Sequence, residues 1–258
     1  MGRSGGMVAA LSQGTGNETT WFPYCGAAPT PVEWLERWNF DPVLLGVLGL
    51  SAFFAFRSAP AGRRLPLAAA FALAVVLFIS PFCALSSALF SARVTHHVLL
   101  TAALAPLLAI ALPRARWPGS LAAWTALHAL LFWIWHAPSV YAAALSSDAL
   151  YWLMQASLLG SAFGFWAAVL RSPVPAAVAG LLVTTVQMGL LGALLTFAPA
   201  PLYAPHLASP MAWGFTPLED QQLAGLIMWA PAAGLYLAAA LLLLGRWLVG
   251  QQQVVAAR

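Results

Sequence analysis

The residues of this 258-residue chain best suited to chemistry are imidazoles that interrupt long apolar runs. His96 and His97 are adjacent in one run, and His136 closes the next at WIWHAPSV. A polar side chain in such a run is costly to place in lipid and by default faces protein. His128 precedes His136 by eight residues, roughly 12 Å deeper along a helix axis. Cys83 lies just before the run holding His96 and His97. Asp220, Gln221 and Gln222 open the last run, followed by Met228 and Trp229. Imidazole with soft sulfur suits copper, whereas carboxylate and water alone suit calcium or magnesium. In falling order, the candidate metal ligands are His97, His136, His96, Cys83, Asp220 and Met228.

Each candidate has a plainer reading. Successive side chains on a helix point about 100° apart, so His96 and His97 cannot face one centre equally well. One ligand and one structural partner are expected, with His97 the preferred ligand. His128 serves as readily as an interhelical hydrogen-bond partner, worth about 1 kcal/mol. Asp220 equally suits the cap of its own helix, where the dipole favours an acid. Cys25 and Cys83 fit a disulfide on an oxidising face as well as they fit a copper-handling pair. There is no Gly-rich phosphate loop, HExxH or GxSxG. Nothing here supports hydrolysis or nucleotide use.

The elements that must position these groups are membrane helices. The chain is 62% hydrophobic and 7% charged, with a mean hydropathy of +0.83. A soluble domain needs about a quarter of its residues charged, so lipid must cover most of this surface. Apolar runs lie at 42–56, 65–80, 94–112, 120–138, 149–170, 175–198 and 222–248, punctuated by prolines such as Pro60, Pro113 and Pro173. About 20 apolar residues cross a bilayer, so the expected fold is all-α, a polytopic membrane protein of seven transmembrane helices. Residues 1–40 read as a flexible leader and interfacial segment, with Met7 an alternative start to Met1. Residues 41–250 form the membrane domain and 251–258 a cytoplasmic tail. The stretch Ser80–Ala92 is too polar for a pure span and is expected to be an outer loop or short surface helix.

Charge sets the expected orientation. There is no lysine, and the arginines are scattered singly or in pairs rather than clustered into the basic face that nucleic acid needs. Arg57, Arg63, Arg64, Arg114, Arg116, Arg171, Arg246 and Arg258 fall on one side of a seven-span layout. Arg3, Arg37 and Arg93 fall on the other, with all the acids: Glu18, Glu33, Glu36, Asp41, Asp148, Glu219 and Asp220. Arginine-rich loops are cytoplasmic. The N-terminus is therefore expected outside and the C-terminus in the cytoplasm.

Three stretches carry a family resemblance: SPFCALSSALFSARVTHHVLLTAALAPLLAIALP, WIWHAPSVYAAAL, and LEDQQLAGLIMWAPAAGLYLAAALLLL. In order and placement they resemble the CtaG family of cytochrome c oxidase assembly factors, and WNFDP before the first helix also fits. The resemblance covers nearly all of residues 31–250. It implies a seven-helix protein of the bacterial inner membrane, needed to assemble haem–copper oxidase and tied to copper delivery at the periplasmic face. Oxidase subunits are the implied partners, with periplasmic copper chaperones and the lipid bilayer. The family pattern usually has a histidine where this chain has Arg93, and another near SSDALYWLMQAS, which has none. Two rival readings remain. One is a haem-binding electron carrier with His97 and His136 as axial ligands; the other is a metal-free scaffold for oxidase subunits.

Overall fold

The computed structural model describes residues 21, 23–112 and 118–256. The leader with Arg3, Met7 and Glu18, the loop arginines Arg114 and Arg116, and Arg258 lie outside the described residues. Among the described residues every regular element is helical. Helices α1 (Pro42–Ser58), α2 (Arg64–Phe78) and α3 (Pro81–Ala88) lead into α4 (Phe90–Ala111). They are followed by α5 (Leu121–His136), α6 (Pro138–Ala144), α7 (Asp148–Val169), α8 (Val174–Thr196) and α9 (Pro217–Gln253). Five of these (α2 extended back to Ala61, α4, α7, α8 and α9) are long and apolar enough to cross a membrane, while α1 and α5 are shorter apolar helices. The chain is thus an all-helical membrane protein. Large apolar side chains lie exposed along α1 (Val47, Leu50, Phe54) and α8 (Val186, Leu190, Leu194), as surfaces against lipid require.

The helices start and stop where local chemistry dictates. Asp41 accepts the amides of Val43 and Leu44 through Oδ1, capping α1, while its Oδ2 accepts the Tyr24 hydroxyl at 2.7 Å. Burial and then that hydrogen bond push the Tyr24 phenol up to about 12. Asn39 bonds the Phe78 carbonyl, and Cys25 is disulfide-bonded to Cys83. The segment before α1 is thereby fastened to the far end of α2 and the start of α3. All the described acids (Glu33, Glu36, Asp41, Asp148, Glu219, Asp220) belong to this disulfide end of the bundle. Arg57, Arg63, Arg64, Arg171 and Arg246 belong to the opposite end, where Arg63 donates to the Leu112 carbonyl.

The stretch expected to be an outer loop or surface helix is instead a buried helix, α3, and the first turn of α4. Ser80 caps α3, Pro81 starts it, and extended backbone at Leu89 separates it from Phe90. Its serines tolerate burial through local bonding: Ser86 Oγ donates to the Cys83 carbonyl at 2.6 Å. Proline explains the irregular turns of α4 and α9. Pro106 follows a wide π turn at Leu100–Leu104, and Pro231 lies inside another at Met228–Ala232. Proline has no amide to donate, so the ladder is locally re-paired. The Thr101 carbonyl accepts the Trp166 indole at 2.9 Å, tying the irregular turn of α4 to α7.

Candidate functional site

The histidines of α4 and α5 meet inside the bundle. Helix α4 presents His97 at 1% exposure and α5 presents His136 at 4%. Their ring centroids are 5.6 Å apart and nearly perpendicular, at 83°. His136 Nδ1 faces the Phe132 carbonyl at 2.7 Å. A carbonyl only accepts, so this nitrogen carries the proton and Nε2 of the neutral ring carries the lone pair. His97 Nε2 lies 3.5 Å from the Gln155 side-chain nitrogen on α7, and its Nδ1 is buried without a partner.

His96 points elsewhere. Its Nε2 donates to the Leu77 carbonyl at 3.1 Å, and its ring packs edge-on against Phe78, so it fastens α4 to α2. The two adjacent imidazoles thus diverge, His97 toward His136 and His96 toward α2. His128 is deeper, its Nδ1 3.1 Å from Ser161 Oγ on α7, which is the interhelical hydrogen bond weighed from the sequence.

Of the remaining candidates, Cys83 and Asp220 are not grouped with His97 and His136. Cys83 is bridged to Cys25, which removes its thiolate from the candidate ligands in this state. Asp220 is fully engaged: Phe90 N donates to Oδ2 at 2.6 Å, while Ser91 N and Ser91 Oγ both donate to Oδ1. Nor does Asp220 cap its own helix. Thr216 and Glu219 form the capping box of α9, leaving Asp220 to cap α4, whose N-cap residue, Leu89, has no acceptor side chain. Met228 is buried in the wide turn of α9, close against Gly192 of α8. Among the described residues no three His, Cys, Asp or Glu side chains are grouped to hold a metal.

Several polar residues of this end were not anticipated. His206, in the connection between α8 and α9, donates from Nδ1 to the Ala88 carbonyl at 3.4 Å and accepts the Tyr141 hydroxyl at Nε2 at 2.7 Å. Burial, and then the charge of Arg93, push it down to about 3, although the Ala88 bond opposes this. Tyr203 donates to the His136 carbonyl at 2.7 Å and stacks on Phe90, centroids 3.8 Å apart. Burial raises the phenols of both Tyr141 and Tyr203. Arg93 is no surface topology signal, since none of it reaches the surface. The sequence held one clue to the connection: PLYAPHLASP places an aromatic and an imidazole among prolines that fix the backbone.

The described residues thus form an all-helical membrane bundle with buried, partly unsatisfied imidazoles toward one end. Residues 44–249 match the family described as cytochrome c oxidase caa3 assembly factor, and the chain belongs to that family. No curated protein and no solved structure matched it.

Proposed function

We propose that this chain is a seven-span assembly factor of cytochrome c oxidase that holds copper between His97 and His136 at the outer face of the cell inner membrane. It passes the ion on without turnover chemistry of its own. Membership of the caa3 assembly-factor family supports the oxidase as partner. The observation carrying the copper reading is the 5.6 Å contact of the two imidazoles from α4 and α5.

The donor set is compatible with that cargo. Neutral imidazole suits copper, among other transition metals. A ring oriented by a hydrogen bond from its other nitrogen to a backbone carbonyl is a common arrangement at metal sites, and His136 makes that bond to Phe132. The buried, unpartnered Nδ1 of His97 supplies a second nitrogen for a ligand or proton. Metal–nitrogen bonds of about 2 Å allow two imidazoles at this separation to share one ion.

Charge distribution supports the orientation. The described loop arginines gather at the end opposite the disulfide, and arginine-rich ends are cytoplasmic. The bridge then lies on the oxidising side. Helices α1 and α5, of 17 and 16 residues, extend about 24–26 Å and complete the seven spans with modest bilayer adjustment.

The deciding experiment measures copper retained after desalting by detergent-purified wild type, His97→Ala and His136→Ala, alongside oxidase activity in copper-limited cells. Retention by wild type and its loss in both variants are expected. Both should also lower oxidase activity, partly restored by added copper, while the factor stays in the membrane. Normal oxidase activity in the double variant under copper limitation would favour the scaffold. A Soret band in the purified protein would favour the haem carrier.

A further inference from the structure

Arg93 is the largest fully buried side chain in the described structure, and Nε, Nη1 and Nη2 all lack a hydrogen-bond partner. No described carboxylate is in ion-pair contact with it. A guanidinium stays charged in proteins and carries five N–H donors. Leaving such a charge unpaired inside a protein is strongly unfavourable. One partial compensation is visible: its central carbon lies 5.3 Å from the Tyr151 ring centroid. Cation–π attraction offsets part of the charge but satisfies none of the N–H donors in the plane of the fork.

Among the described residues, the groups around Arg93 supply no counter-charge. On α4, Arg93 shares a face with His96 and His97, three and four residues on, where side chains are neighbours about 5–6 Å apart. Both are neutral or cationic. The hydroxyls of Tyr141 of α6 and Tyr151 of α7 lie close enough to interact with it, but neither completes a hydrogen bond to a guanidinium nitrogen and neither carries a charge. His206 contributes no negative charge, because its ring is held between Tyr141 and Ala88. Asp220, the acid that caps the helix carrying Arg93, has its oxygens already taken by Phe90 and Ser91.

We propose that Arg93 is the centre of a binding site for a small monoanion of halide or formate size, bound by the guanidinium fork beside the hydroxyls of Tyr141 and Tyr151. The size follows from burial. With no exposed surface on Arg93, and with Tyr203 and His206 buried over the same end, a partner's side chain cannot enter. A single negative charge matches the single positive one. The site lies one helical turn from the His97–His136 pair, and its test does not depend on copper.

The full chain, purified in detergent, is titrated with chloride, bromide or formate against gluconate at constant ionic strength, reading the unfolding midpoint. Wild type should gain about 5 °C or more, saturably, at a hundredfold excess of anion over its Kd. Arg93→Met should show no anion-dependent gain, and Arg93→Lys, which keeps the charge but loses the fork, a weaker one. If the wild-type midpoint is the same in chloride, formate and gluconate, the guanidinium is compensated within the chain or by water and the site does not exist. A gain of equal size in Arg93→Met would place the anion elsewhere and overturn the assignment. Should Arg93→Met fail to accumulate, the wild-type titration together with Arg93→Lys still decides the matter.

Discussion

The Asp220 carboxylate accepts the Phe90 amide at 2.6 Å, so the last membrane helix caps the helix that carries His96 and His97. A cap contributed by another helix couples the two. Loss of Asp220 leaves the buried amides of Phe90 and Ser91 without their acceptor as well as removing the carboxylate. Asp220→Ala should therefore destabilise the protein by about 2 kcal/mol, at the upper end for a helix cap. Asp220→Asn, which retains one acceptor oxygen, should lose less. Thermal unfolding in detergent measures both. Copper retention unchanged in a folded Asp220→Asn would separate this capping role from ligation.

The Cys25–Cys83 bridge closes a separation of 58 residues and fastens the segment before α1 to α3. Chain-entropy reasoning gives a stabilisation of about 4 kcal/mol for a loop of that size. Cys83→Ser should lower the denaturant midpoint accordingly, and a matching fall should follow reduction of wild type. A membrane-impermeant thiol reagent should label intact spheroplasts only after reduction. Labelling without a reductant would mean that the bridge does not form in the membrane.

Most of the fold was legible because apolar length and proline punctuation are properties of the chain itself. The bounds of α5, α7 and α8 differ by one or two residues from the runs read at 120–138, 149–170 and 175–198. The contact of His97 with His136 was legible too, since both imidazoles interrupt apolar runs joined by a short loop. Less legible was everything that depends on pairing across the bundle. The serines of α3 looked too polar to bury because their backbone partners, such as the Cys83 carbonyl, are invisible to composition. Arg93 counts as one more terminal charge in a linear tally, and only packing against Tyr151 reveals it as interior. Asp220 has the position of a cap for its own helix, yet Thr216 takes that role three residues before the N3 Glu219. His206 escaped notice because it lies in a connection rather than an apolar run.

Gly192 of α8 and Gly225 of α9 face each other at a crossing where backbones nearly touch. A Cβ on Gly225 would lie 2.6 Å from the Gly192 carbonyl oxygen and 2.6 Å from the Thr196 amide nitrogen. One on Gly192 would lie 2.7 Å from the Gly225 carbonyl oxygen and from the Trp229 amide nitrogen. Small residues permit such contact between membrane helices, where lipid offers no hydrophobic drive for association. Gly225→Ala should cost about 1–3 kcal/mol by overpacking, and Gly225→Leu should disrupt the α8–α9 pair outright. Gly234, with no heavy atom in reach of an added Cβ, is the control: Gly234→Ala should leave the unfolding midpoint unchanged or slightly raised.

His206 gives the protein a pH dependence whose sign is fixed by its surroundings. In the fold its imidazole is buried between Tyr141 and Ala88, and burial with the Arg93 charge pushes it down to about 3. In the unfolded chain it titrates near 6.5. Between these values the unfolded state binds the proton that the native state excludes, so stability rises with pH across that window and falls as the medium is acidified. The contribution of His206 is fully present above about pH 6.5, and about 2 kcal/mol of it is lost by pH 5. His206→Gln keeps a side chain able to bond Tyr141 and Ala88 but cannot take up a proton. Its unfolding midpoint should therefore lie below wild type at pH 7.5 and approach or exceed it at pH 5. Parallel curves for the two proteins across that range would show that the imidazole titrates freely in the fold, and that the Tyr203–His206 connection is open to water.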